Sequence, residues 1–275
     1  MNKFIESFNR ITSLYDFSKM LRYCAPLYDI FGVNYFWYFR VTHSGDYSYI
    51  GTHADWSEWS FEHDMVKNFP LLRNPDTLSE GIHFMNRTVR VGHEIPVNVA
   101  WEKFKVHLAI SLVKKIDCGV EVFGFGTKTN DPQAELALLN ELPLLRLFIK
   151  NFREKFKKSI EYAHENPVNL ISHLGPIFEE TNGTKLSEEK RMQFLKAVGL
   201  GSLLTLSKRE NEVFLLIHEG YSCTQIAEIL LLSSRTVEKF ICSIKDKLSC
   251  DSKGQIIQMA NSLFSNGYST YLKLK

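Results

Sequence analysis

The chain has 275 residues, 44% of them hydrophobic and 23% charged, with a net charge of +2. At roughly 100–200 residues per domain this predicts two domains, and the composition is too apolar for intrinsic disorder. No run reaches the ~18 apolar residues of a membrane span, Glu6 and Arg10 interrupt the place where a signal peptide needs its apolar stretch, and the five cysteines contain no CxxC pair, so a protein without membrane contact, disulfide framework or structural zinc is expected in a reducing cytoplasm.

Phe4, Phe8 and Ile11 recur at helical spacing, and Asp16 is placed to cap a second helical run through Leu21, Cys24 and Tyr28. The segment from Val33 to Val41 is apolar on both alternating faces, Tyr35, Trp37 and Phe39 on one and Val33, Phe36 and Tyr38 on the other, as a central strand requires. His43 to Asp46 supplies a Gly-containing turn, and Tyr47 to Gly51 returns as the hairpin partner. A mixed helix-and-loop stretch with Trp56, Trp59, Phe69, Pro70, Pro75 and Gly81 follows, then strands from Leu108 to Lys115 and Gly119 to Gly126. Asp131-Pro132 reads as an N-cap with proline at the first helical position. The long helix after it carries a seam of Leu138, Leu142, Leu145, Ile149, Phe152, Phe156 and Ile160, interrupted by Pro143. Such a seam packs either on the sheet of its own domain or against a second subunit. This order predicts an α+β or α/β sensor-like layer of the PAS or GAF kind over residues 1–163, with a linker at 164–205 holding a short helix from Ser187 to Ala197.

Residues 206–275 hold the small charge excess, nine Lys/Arg against seven Asp/Glu, so electrostatics permits nucleic-acid binding without requiring it. Three S-x-x-[E/Q] patterns, at Ser207, Ser222 and Ser252, mark helix starts, and Gly220 suits a helix end. The second helix turns Ile226, Ala227 and Leu230 inward; after the turn Leu232-Ser233-Ser234 the third buries Val237, Ile241, Ile244 and Leu248 and presents Arg235, Glu238, Lys239, Cys242, Ser243 and Asp246 outward. A short helix, a turn and an amphipathic helix make a helix-turn-helix, although on periodicity alone a protein-docking helical bundle fits equally.

The run L206-S-K-R-E-x-E-V-F, then E-G-Y-S, I-A, S-S-R-T-V-E and I-K-D-K-L248 resembles the LuxR-type four-helix DNA-binding domain of bacterial transcription regulators. The resemblance implies that Glu210 is the family's first-helix glutamate, that Ser233 caps the recognition helix, and that Arg235, Thr236, Glu238 and Lys239 face double-stranded DNA, with Thr224, Ser234, Ser243 and Lys247 as further candidate contacts. Phe240 and Ser249 depart from the family pattern, Ser249 standing where a glycine is usual. The N-terminal part is similar, more weakly, to the autoinducer-binding domains of quorum-sensing regulators, through G-V-N-Y-F-W-Y and W-S-E-W-S-F-E-H-D64. That likeness implies a pocket for an acyl-homoserine lactone or another small apolar signal, with Phe36, Tyr38, Trp56, Trp59 and Asp64 as candidate lining. The family's tryptophan-tyrosine spacing is absent, since Ser60 follows Trp56 and His63 follows Trp59 four places on. The same aromatics also suit a filled core with no ligand.

Histidines at 43, 53, 63, 83 and 93 form no HxH or HExxH pattern, and neither a metal, a cofactor nor a catalytic constellation is expected. The sequence therefore predicts a homodimeric, non-enzymatic DNA-binding regulator. A helical protein-interaction module joined to a ligand-binding domain is the alternative. The homodimer follows from the Leu138–Ile160 seam and from a last-helix stripe of Ile256, Ile257, Ala260, Leu263 and Phe264.

Overall fold

The computed structural model describes residues 17–85, 92, 94–129, 131–181 and 187–265. Phe4, Phe8, Ile11, Asp16 and His93 lie outside them. The chain divides into two compact units, Met1–Lys185 and Leu186–Lys275.

The first unit is mixed α/β, built on an antiparallel sheet. Its elements are α1 (Phe17–Phe31), β1 (Val33–Thr42), β2 (Asp46–Gly51), α2 (Ala54–Glu62), β3 (Gly81–Phe84), α3 (Glu94–Phe104), β4 (His107–Ile116), β5 (Gly119–Thr127), α4 (Pro132–Asn140), α5 (Leu142–Lys155), α6 (Lys157–Glu165), β6 (Val168–Asn169) and α7 (Leu170–Leu174). The strand order β3-β4-β5-β1-β2-β6 places β1 between β5 and β2, as its two apolar faces demand. Edge strands β3 and β6, only four and two residues long, give too little alternation to be seen in the sequence.

On one face, Phe36 and Tyr38 meet the helices: the Phe36 ring lies 4.9 Å from Phe152 and 5.1 Å from Phe148. Asp131 caps α4 by accepting from the Gln133 N–H, with Pro132 behind it. The expected long helix is a helical run bent at Glu141 and Phe156, across which Leu145 N–H still reaches Glu141 O and Ile160 N–H reaches Phe156 O. Pro143 sits in the first turn of α5; it has no N–H to give to the preceding turn and its ring crowds the carbonyl there, which ends α4 and accounts for the first bend. The seam is spent inside the unit, since Leu138, Leu145 and Phe152 are fully buried in its core. This is the own-sheet reading of the two. Leu136, Leu144 and Leu147 remain exposed on the outer side.

The segment 164–205, expected as a linker, holds structure throughout much of its length. Val168, Leu170, Leu174 and Phe178 join the first unit's core, and the Asn74 N–H donates to Phe178 O at 2.7 Å. Pro167, Gly175 and Pro176 punctuate this docked chain rather than release it. The second unit begins with α8 (Glu188–Ala197), capped by Ser187, and a 3₁₀ turn (Gly201–Thr205) whose Leu203 is buried with Leu195.

The second unit continues with α9 (Lys208–His218), α10 (Cys223–Leu230), α11 (Ser234–Leu248) and α12 (Lys253–Ser265). The last-helix stripe is largely consumed internally: Ile256 and Ala260 are fully buried, and the Phe264 ring stacks on His218 at 3.9 Å. Helix α11 ends on Ser249 in the left-handed conformation, φ 54°, at the position that ordinarily suits glycine. Because a side chain there is strained, Ser249→Gly is expected to stabilise the second unit by about 1 kcal/mol, read as a rise in its denaturant midpoint at unchanged m-value.

Candidate nucleic-acid interface and an apolar cavity

Two capping boxes build the entry to the interface. Ser207 accepts from the Glu210 N–H while Glu210 reaches back to the Ser207 N–H, and Ser222 and Gln225 do the same for α10. The third pattern is a variant, in which Gln255 N–H donates to Ser252 but the Gln255 carbonyl takes the Asp251 N–H. Gly220, at φ 88°, ends α9 and lets the Tyr221 N–H close back on Leu216 O. Helix α10 ends on Leu231, also left-handed at φ 55° and 92% exposed. Ser233 then caps α11, accepting from the Thr236 N–H at 3.1 Å with its hydroxyl 2.8 Å from that of Thr236.

Helix α11 buries Val237, Ile241, Ile244 and Leu248 against α9 and α10, where Phe214, Ile217, Ile226 and Ala227 meet them. Its opposite side is a shallow concave surface lined by Arg235, Glu238, Lys239, Cys242, Ser243 and Asp246. Arg235, Glu238 and Lys239 are exposed, and among the described residues their side chains make no hydrogen bond or ion pair. Thr224 and Ser234 are exposed at the starts of α10 and α11.

Ser243 and Lys247 are placed differently. The Ser243 hydroxyl donates to Glu210 Oε1 at 2.6 Å, and the Lys247 ammonium donates to Glu210 Oε2 at 2.6 Å, to Oε1 at 2.9 Å and to Thr205 O at 3.1 Å. With the Ser207 N–H at 2.6 Å, the buried Glu210 carboxylate is surrounded by donors. Burial alone would raise its pKa, but the hydrogen bonds from Lys247, Ser243 and Ser207 outweigh it and hold the group at about 2. These contacts tie α9 to the middle of α11 and direct both side chains inward.

In the first unit the other sheet face carries the cavity. Tyr35, Trp37 and Phe39 of β1 and Tyr47 and Tyr49 of β2 form its floor, and Trp56, Ser57, Ser60 and Phe61 of α2 with Phe69, Leu71, Leu72, Met85 and Leu108 close it. The cavity among these atoms is only about 40 Å³, a thin slit. The hydroxyls of Tyr35 and Tyr49 are 2.8 Å apart, Tyr49 also bonds Ser57, and Ser57 donates to His53 O at 2.9 Å. Burial raises the Tyr35 phenol to about 12 and lifts that of Tyr47 well above the ordinary value. Tyr47 is 3% exposed and its hydroxyl has no hydrogen-bond partner among the described residues. Among the described residues no charged side chain lines the slit.

Of the five residues expected to line a pocket, Trp56 lines this slit, and Phe36, Tyr38, Trp59 and Asp64 are not among its described lining. Phe36 and Tyr38 point to the helix-covered face, because β1 alternates and both of its faces are apolar. Trp59 stacks on His63 at 4.0 Å with the Lys103 ammonium 4.5 Å over its ring. Asp64, left-handed at φ 58°, pairs with Lys67 and accepts from His173 at 2.8 Å. The missed lining residues of α2 had a signal: Ser57, Ser60 and Phe61 share one face of the helix with Trp56 by helical spacing. Among the described residues no group of three His, Cys, Asp or Glu is placed to hold a metal, and no helix is long and apolar enough to cross a membrane.

Capping-box helices, a short turn and an outward polar helix face define a helix-turn-helix. Residues 204–260 match the family described as bacterial regulatory proteins, luxR family, so the second unit carries the helix-turn-helix domain of that family, one of regulators rather than enzymes. Among solved structures, the chain is similar to Escherichia coli SdiA at 14% identity and a TM-score of 0.35, covering 98% of this chain and 96% of that one. It is also similar to SdiA in complex with octanoyl-rac-glycerol, at 14% identity and a TM-score of 0.31 over 90% and 88% of the two chains. No curated protein matches the chain.

Removing the Lys247 ammonium leaves Glu210 short of a donor, so Lys247→Ala is expected to destabilise the second unit by about 1–3 kcal/mol, the partial exposure of Lys247 moderating the loss. A carboxyl whose folded pKa is depressed stabilises above its unfolded pKa and ceases to do so as pH falls through the folded one. The second unit of the unmodified chain should therefore lose stability between about pH 4.5 and pH 2. Urea titrations at stepped pH read this directly, and Glu210→Gln should flatten the slope.

Proposed function

We propose that the chain is a DNA-binding transcription regulator whose first unit responds to a small, largely apolar molecule. The observation that carries the DNA reading is the concave face of α11: Arg235, Glu238 and Lys239 stand free at the end of the helix that a helix-turn-helix inserts into the major groove. Arg235 and Lys239 suit guanine, whose O6 and N7 accept, and Glu238 suits the amino group of cytosine. Thr224 and Ser234 are suited to phosphate oxygens at helix starts. Ser243 and Lys247 act by holding α11 on Glu210, not by touching DNA. The protein-docking alternative has no such support beyond its shared outline. Arg235→Ala should weaken operator binding by about 1–3 kcal/mol and random-sequence binding by less, in anisotropy titrations at fixed salt. Equal losses on both duplexes would reduce Arg235 to a phosphate contact.

The ligand reading rests on the slit. Three phenols and two serines offer hydroxyls only, and the Tyr35–Tyr49–Ser57 chain satisfies most of them. Tyr47 is left to donate to one acceptor on an otherwise apolar molecule. An acyl-homoserine lactone presents an amide donor, for which no carboxylate stands in the slit among the described residues; Asp64 is engaged elsewhere. An apolar ligand with a carbonyl, ether or hydroxyl acceptor fits better. The PAS- or GAF-like sensor role and a homodimer formed through exposed Leu136, Leu144 and Leu147 belong to this same proposal, a two-fold protein reading paired half-sites. Thermal unfolding with a panel of lactones and medium-chain acyl alcohols is the test: a ligand at ~100 times its Kd adds ~2.7 kcal/mol, and Tyr47→Phe should reduce the shift. No shift with any member of the panel would make the first unit a scaffold with a filled core.

A further inference from the structure

We propose that the helix-covered face of the sheet carries a second site, for a small oxyanion, held by the Arg40 guanidinium and the Ser48 hydroxyl. The site is separate from the slit and does not depend on the regulator reading. Arg40 lies directly opposite Ser48 on β2 and Glu121 on β5, and the three side chains face the same helices. Arg40 is only partly exposed, its Nε is buried, and among the described residues it makes no hydrogen bond or ion pair. Ser48 is fully buried and its hydroxyl has no partner. The buried Arg40 Nε and the buried Ser48 hydroxyl, on residues paired across two strands, both lack a partner among the described residues, which is unfavourable until something accepts from them.

The surrounding charges favour an anion. Glu121 is the acidic group at this place, and it is already engaged by Arg153 and by the Tyr38 hydroxyl at 2.9 Å. One carboxylate against two guanidiniums leaves one positive charge. Since Tyr38 donates to Glu121, it accepts from His164 Nε2, 2.8 Å away. Burial, and then the charge of Arg40, lower the His164 pKa to about 4, so at neutral pH the imidazole adds no cation and the attraction rests on Arg40. A tetrahedral oxyanion takes two donors from a guanidinium fork and a third from the serine, a geometry that a planar carboxylate matches less fully.

The test is thermal unfolding of the full chain in inorganic phosphate, with sulfate and acetate as further arms and chloride at equal ionic strength as reference. Phosphate at tenfold its Kd should raise the transition of the first unit by roughly 3–6 °C. Sulfate should act similarly and acetate more weakly, as the three-donor geometry requires. Arg40→Gln should abolish the shift. Ser48→Ala deletes a buried unpaired hydroxyl and so should fold at least as well as the parent, while halving the anion response or more. Phosphate stabilising parent and Ser48→Ala alike would overturn the proposal, because general salt effects act on any surface. No difference between phosphate and chloride for the parent would overturn it as well.

Discussion

The arrangement of the second unit depends on one buried carboxylate. Glu210 starts α9 by completing a capping box, and the same two oxygens receive Ser243 and Lys247 from α11. A carboxylate withdrawn from water is costly unless its lone pairs are all met, and here the donors come from two helices that no local pattern brings together. The bond therefore sets the orientation of α11 more narrowly than its apolar seam does, since Val237, Ile241, Ile244 and Leu248 would tolerate small rotations. Side chains a turn or more away, Arg235, Glu238 and Lys239, inherit that orientation.

The same division of labour separates charged groups that hold the helix from those left to solvent. Lys247 reads from the sequence as one more cation near a nucleic acid, but its ammonium is neutralised within the fold. What remains on the outer face is balanced, Arg235 and Lys239 against Glu238 and Asp246. Such a face gains little from counterion release. In the function proposed above, discrimination between base edges would then contribute more to its affinity than bulk attraction.

Legibility followed the range of the interactions involved. Helix starts at Ser207, Ser222 and Asp131 were readable because a cap is completed within three residues, whereas the Ser233 cap came from the family resemblance. Strands β1, β2, β4 and β5 were readable from their apolar runs and, for the first pair, from the turn at Gly45. The lining of the slit was not, because β1 is apolar on both sides and alternation says only that Phe36 and Tyr38 oppose Tyr35, Trp37 and Phe39. Deciding which set faces the helices takes the pairing with β5, where Phe125 and Phe123 stand beside Phe36 and Tyr38. The roles of Ser243 and Lys247 were hidden for a related reason: their partner is 33 and 37 residues away. The docked chain at 168–178 was concealed by its Pro and Gly residues, which mark breaks in helix and strand without marking a loss of packing.

Glycine 124 shows how closely the floor of the slit is drawn: Trp37 lies directly across it, and a Cβ there would fall within the indole. With the floor drawn this tightly, a ligand of the kind proposed above would need aromatic rings to turn before it could enter, and again before it could leave. Its exchange would then follow the frequency of ring rearrangement more than diffusion. An occupant held in this way would outlast brief fluctuations in its own concentration, so that a first unit acting as proposed would report a time-averaged level of its ligand.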